Sequence, residues 1–232
     1  MSHFDFKQFR IYHDRCAMKV GTDGVLLGAW SPVGEVKNIL DIGTGSGLVA
    51  LMLAQRSEAN VIGIELDEDA ANQAETNAQA SPFSTRIKII QSDIAQYFPE
   101  EKFDLIVSNP PFFNEALISP DKQRTQARHT NTLPFEVLID SAYRLLETDG
   151  YFSVILPTSE ADVFTNICIV KHFTPIHITS IQTTPKKAPK RKLLCFKKGV
   201  HQLPLHTDTL ILSMGDGKRS EAYQELTKDF YL

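Results

Sequence analysis

The sequence predicts a three-layer α/β fold, with helices on both faces of a mostly parallel sheet, from three observations. Apolar runs at 38–42, 61–64, 87–90 and 103–107 alternate with stretches of helical period. The first run passes directly into Gly43-Thr44-Gly45-Ser46-Gly47, a turn that opens the next helix. The second run ends in an acid, Glu65.

In chain order, Phe4, Phe6, Phe9, Ile11 and Tyr12 alternate with polar residues, which predicts short strands or a hairpin. Lys7, Arg10, Arg15 and Lys19 give it a basic outer face, either solvated or in contact with substrate. Thr22 or Asp23 is placed to cap a short helix that Pro32 ends and that packs one face on the sheet. After the glycine turn, 48–54 reads as a helix, and 67–78 as an alanine-rich helix with acids in its first turn. Residues 87–93 read as a strand ending in an acid, Asp93, before a short helix, 94–98. Residues 114–132 form a long polar connection containing Arg124, Arg128 and His129, the kind of loop that often serves binding. A helix from Phe135 to Leu146 buries Leu138, Ala142, Leu145 and Leu146, Asp149-Gly150 closes it, and 151–157 is a strand. A helix near 159–171, strands near 175–183 and 193–196, and a tail of strand, glycine turn and helix complete the chain, with Tyr223 and Leu226 facing inward. The simplest organisation is one domain, 37–232, with an N-terminal extension, 1–36, made of the hairpin and short helix and packed on it.

The glycine turn permits positive φ and close approach of a ligand to the backbone, and the helix behind it favours polar or anionic groups. Its third glycine comes one residue earlier than in a dinucleotide fingerprint, and Asp41 sits just before the turn. A carboxylate at Glu65 can accept from both hydroxyls of a ribose. Asp-x-Gly-x-Gly-x-Gly with a strand-end Glu matches S-adenosylmethionine better than a nicotinamide cofactor. Asp93 either accepts from an adenine amine or caps the short helix after it.

Directly after the run 103–107 stands Ser108-Asn109-Pro110-Pro111-Phe112-Phe113, at the strand end where open α/β sheets bind ligands. The exocyclic amine of adenine is a poor nucleophile because its lone pair is delocalised into the ring. Two acceptors aimed at its two N–H groups, the Asn109 side-chain oxygen and the Pro110 carbonyl, would localise that pair. The prolines restrict where the carbonyl points, and Phe112 can stack on the base. A plain Asn-Pro turn is the alternative.

A formal net charge of −4 excludes a protein that coats nucleic acid over its whole surface, so a polyanion must meet a local patch. Lys186, Lys187, Lys190, Arg191 and Lys192, with Lys197 and Lys198 beyond, form the concentrated basic segment. It suits salt-sensitive phosphate contacts, or is a solvated hairpin tip. Cys16, Cys168 and Cys195 lack metal-site spacing and read as free thiols of a reducing compartment. The chain lacks a membrane-length apolar run and a signal-peptide core, so a cytoplasmic location is expected.

Through Asp41–Gly47, Glu65, Asp93 and Asn109–Phe112, residues 19–200 resemble the class I S-adenosylmethionine-dependent methyltransferases. That resemblance implies a Rossmann-like, seven-stranded, mostly parallel sheet with its last strand antiparallel. Phe6–Phe9, Met18–Gly24, Ala127-Arg128-His129 and Asp229–Leu232 make the chain similar, more closely, to bacterial tRNA (adenine-N6)-methyltransferases that modify the adenine 3′ of the valine anticodon. This implies S-adenosylmethionine contacts from Asp41, Gly43, Thr44, Gly45, Gly47, Glu65, Leu66, Asp93, Ile94 and Asn109. Catalysis would fall to Asn109, Pro110, Pro111 and Phe112, and tRNA contacts to Arg124, Arg128, Lys186, Lys187, Lys190, Arg191 and Lys192. No metal and no membrane are implied, and a monomer or weak dimer is expected. Asn-Pro-Pro-aromatic sites also occur in methyltransferases acting on DNA or rRNA amines and on protein glutamine amides. A non-catalytic RNA-binding protein and a nicotinamide-dependent dehydrogenase are further alternatives.

Overall fold

The computed structural model describes residues 2–16, 19–110, 133–215 and 217–232. Strands β3 (Asn38–Ile42), β4 (Asn60–Glu65), β5 (Ile87–Gln91), β6 (Phe103–Ser108), β7 (Leu146–Pro157), β8 (Phe173–Gln182), β9 (Arg191–Lys198) and β10 (His206–Ile211) form one sheet. Their spatial order is β10-β8-β9-β7-β6-β3-β4-β5. β9 runs antiparallel to both β7 and β8, and every other neighbouring pair in the sheet is parallel. The expected sheet is thus extended by an eighth strand, β10, which joins β8 at the edge.

The continuous apolar runs of the central strands divide by the period of two. Leu105 and Val107 of β6 enter one core, and Ile106 enters the other. Helices α1 (Thr22–Trp30), α2 (Leu48–Arg56), α3 (Glu68–Gln79) and α6 (Glu221–Thr227) contribute to the first core. Helices α4 (Phe135–Leu145) and α5 (Thr158–Val170) cover the second, around the buried rings of Phe152, Phe164, Phe173 and Phe196. Leu138, Ala142, Leu145 and Leu146 are all buried, as their spacing predicts. Asp149 and Gly150, expected to close the helix, lie instead within β7, where the register against β6 shifts.

Helix α1 differs from its expectation in two ways. It buries Gly24 to Ala29 without a break, not one face, because α2, α6 and β7 all pack against it. A Cβ on Gly28 would stand 2.8 Å from Met52 Cβ, so glycine permits the close α1–α2 crossing. Neither Thr22 nor Asp23 is its cap; Gly21 holds that position, and Asp23 accepts from Arg191 Nε at 2.8 Å.

Near the amino terminus β1 (His3–Asp5) pairs antiparallel with β2 (Arg10–Tyr12), the hairpin that the alternation there predicts. Phe6 stacks on Phe9 and Tyr231, and Lys7 N donates to Phe230 O at 2.8 Å, so the hairpin holds the C-terminal segment. Asn77 of α3, fully buried, accepts from Tyr12 N at 3.0 Å and donates to Tyr12 O and Ser46 O, each at 2.8 Å. One amide therefore joins hairpin, helix and glycine turn. Asn77→Ala leaves Tyr12 N–H and two carbonyls without these partners. It is expected to destabilise the chain by about 2–4 kcal/mol in urea unfolding.

Candidate active site

The chain leaves β3 for β4 and β5 on one side, then returns to β6 on the other, so a topological switch point lies between β3 and β6. Ile42 and Ser108 are register partners there, and Ser108 Oγ donates to Ile42 O at 2.9 Å. The residues that follow, Gly43 and Asn109, leave the sheet side by side.

Gly43, Gly45 and Gly47 have φ of 72°, 55° and 82°, left-handed values that side chains disfavour. A Cβ on Gly43 or Gly45 would meet no protein atom within 4 Å, so conformation and not crowding selects glycine. Thr44 Oγ1 donates to Asp41 Oδ2 at 2.6 Å, and the Asp41 side chain is buried. Asp41 thus faces the turn from below. Gly63, opposite on β4, is constrained by the same contact, since its Cβ would stand 2.9 Å from Thr44 Oγ1.

Glu65 closes the turn from the neighbouring strand. Its Oε2 accepts from Gly45 N at 2.9 Å, and its Oε1 accepts from Leu66 N and Asp67 N at 2.9 and 3.1 Å. A carboxylate has about four acceptor positions, so these three bonds orient it and leave about one position for a hydroxyl donor. Leu66 beside it is 44% exposed, whereas Ile94 is buried. Asp93 caps the short 3₁₀ turn Ile94–Gln96 through Oδ1, which accepts from Ala95 N at 2.9 Å.

Asn109 Oδ1 is buried and has no hydrogen-bond partner among the described residues. A buried carbonyl left this way costs about 1–3 kcal/mol until it meets a donor. Pro110 is buried next to it. Pro111, Phe112, Arg124 and Arg128 lie outside the described residues.

β8 is parallel to β7, so the β8–β9 loop stands on the same sheet edge as Gly43 and Asn109. Lys186, Lys187 and Lys190 are exposed on it. Arg191 and Lys192 are turned inward: Arg191 pairs with Asp23 at 2.8 Å, and Lys192 Nζ with Asp162 at 2.7 Å. Lys197 and Lys198 belong to the other end of β9, where Lys198 Nζ donates to Leu146 O, so the basic run is not one patch.

Two features escape sequence reasoning. Asn77 has a faint signal, an amide inside an alanine-rich helix. Lys218 and Arg219, just past a glycine turn, line a hollow of about 600 Å³ with Lys7 and Lys228. Their loop follows β10 and meets the β8–β9 loop, Ser213 N donating to Thr183 O at 3.0 Å. A second hollow, of about 470 Å³, lies at the amino ends of β3–β6, opposite the edge where such sheets bind ligands.

The sheet order, the left-handed glycine turn under a strand-end Glu, and the unpartnered Asn109 oxygen define a class I S-adenosylmethionine-dependent methyltransferase. The methyltransferase small domain family model matches residues 21–159. Curated relatives named tRNA1(Val) (adenine(37)-N6)-methyltransferase include those of Phocaeicola vulgatus, 49% identical over 99% of this chain and 97% of the relative, and Proteus mirabilis, 46% identical over 99% and 93%. The chain belongs to this family. Among solved structures, a predicted O-methyltransferase from Agrobacterium tumefaciens superposes with a TM-score of 0.71 at 22% identity, covering 90% of this chain and 96% of that one. The N-methyltransferase NodS of Bradyrhizobium japonicum, in complex with S-adenosyl-L-homocysteine, has a TM-score of 0.54 at 19% identity, covering 75% and 83%. At these identities the likeness is one of fold.

Burial is the main cause that pushes the Asp41 carboxyl from 3.8 up to about 7; hydrogen bonds from Thr44 and the Ala50 backbone oppose the rise, and the Glu65 charge adds to it. The folded chain therefore keeps this proton where the unfolded chain has lost it. The stabilisation is complete below about pH 4 and disappears as pH rises to 7. Asp41→Asn is expected to flatten the fall in urea midpoint across that window, measured against the parent chain.

Proposed function

We propose that this chain methylates the N6 amine of adenine 37 in tRNA1(Val), the activity named for its relatives. The observation that carries the reading is the buried, unpartnered Asn109 oxygen beside the glycine turn. S-adenosylmethionine, when bound, supplies an electrophilic methyl on a sulfonium. Gly43, Thr44, Gly45 and Gly47 would cradle it with Asp41 bracing the turn, Glu65 would take a ribose hydroxyl, Asp93 would face the adenine amine, and Leu66 and Ile94 would give apolar cover. Asn109 borders both the cofactor and the target base.

Asn109 Oδ1 and the Pro110 carbonyl accept the two N–H groups of the target amine and favour the geometry in which its lone pair is localised. Pro111 stiffens the segment and Phe112 stacks on the base. Charge develops on that amine only as the methyl arrives, so fixed acceptors act chiefly on the transition state. The methylated amine then releases a proton to water. An adenine in a single-stranded loop unstacks at less cost than one in a duplex, and tRNA places the reaction in the cytoplasm.

The tRNA backbone would run along the reaction edge, over Lys186, Lys187 and Lys190 and on toward Lys218 and Arg219, with Arg124 and Arg128 contributing from the loop after the site. Arg191 and Lys192 brace this surface through their acidic partners. Residues 37–232 would carry catalysis, and 1–36 would hold the turn and the C-terminal segment.

Asn109→Ala is expected to lower kcat about 10²–10³-fold. The assay follows labelled methyl into tRNA from a strain lacking the gene and identifies the nucleoside by mass spectrometry; label in protein, or a nucleoside other than N6-methyladenosine, overturns the reading. Replacing Lys186, Lys187 and Lys190 together by Ala is expected to weaken tRNA binding and reduce the slope of log affinity against log salt by about 2–3.

A further inference from the structure

We infer that His177, His206 and Asp208 form a surface site for a borderline-soft divalent cation of the zinc type, which ties β10 to β8. The parallel register sets His206 opposite His177 and Asp208 opposite Thr179, and the period of two turns all four side chains to one face. One ligand atom from each of the three converges, all within 4.8 Å of one another.

The separations suit an ion as well as hydrogen bonds, and His177 Nε2 also lies 3.2 Å from Thr179 Oγ1. Asp208 Oδ2 stands 3.3 Å from His177 Nε2 and 3.4 Å from His206 Nε2. Good N–H···O bonds are shorter, about 2.7–3.2 Å. Ligands at about 2.0–2.1 Å on a tetrahedral zinc ion are about 3.3–3.4 Å apart. Two imidazoles and one carboxylate suit zinc, cobalt or nickel and discriminate against magnesium and calcium, which require a shell of oxygens. The surroundings are ordered for this role. Trp30 Nε1 donates to Thr179 Oγ1 at 2.9 Å, and the Trp30 ring packs on His177 at 4.7 Å between centroids.

The site is separate from the chemistry. His206 opens β10, roughly 16 Å of strand from the reaction edge at Ile211, so the cation would act on structure. It would cross-link the eighth strand to the sheet and so steady the loop bearing Lys218 and Arg219.

The test uses the full chain, with any affinity tag removed and metal stripped by chelator, titrated with Zn²⁺ against a chromophoric competitor. One equivalent should bind, at least tenfold more tightly than to His206→Ala or Asp208→Asn, both exposed positions. Zn²⁺ should raise the thermal midpoint of the parent but not of either variant, and Co²⁺ should give the visible absorption of a low-coordinate nitrogen–oxygen site. With metal stripped from all three proteins, methyl transfer to tRNA should be equal in parent and variants. Undiminished Zn²⁺ affinity in both variants, or well under one equivalent in the parent, overturns the proposal.

Discussion

Ser108 and Ile42 face each other across neighbouring parallel strands, and the bond from the Ser108 hydroxyl to the Ile42 carbonyl fastens the seam on which the site depends. The chain separates its strands into two groups at this seam. A slip of one residue would turn the side chains of β6 to the opposite faces, moving Leu105 and Val107 out of the first core and Ile106 out of the second. Core packing therefore sets the distance between the glycine turn and Asn109.

Around that seam the polar groups divide by the work available to them. Asp41, Thr44 and Asn77 spend their hydrogen bonds within the chain, and the turn they support is held from below and behind. Glu65 holds it from the side while keeping acceptor capacity. The Asn109 oxygen alone in this group has no partner among the described residues.

The basic residues follow a similar division. Lys186, Lys187 and Lys190 project from a loop, whereas Arg191 and Lys192, one or two positions on, lie at the start of β9 and pair with Asp23 and Asp162. Where the loop ends and the strand begins decides whether a cation meets solvent or a carboxylate. Lys197 and Lys198 are removed to the far edge by the length of the same strand.

Much of this architecture is determined by the sequence itself, because its signals are local. Apolar runs, glycines at positions needing positive φ, acids at the ends of β4 and β5, and prolines after Asn109 each act within a few residues and can be read in any fold. What only the tertiary structure decided is set by contacts between distant positions. Arg191 meets Asp23 across 168 residues, β10 joins as an eighth strand, Asn77 reaches the hairpin and the turn together, and His177, His206 and Asp208 converge. Such meetings depend on strand order and register, which arise from the packing of the whole sheet and leave no periodic mark in the chain.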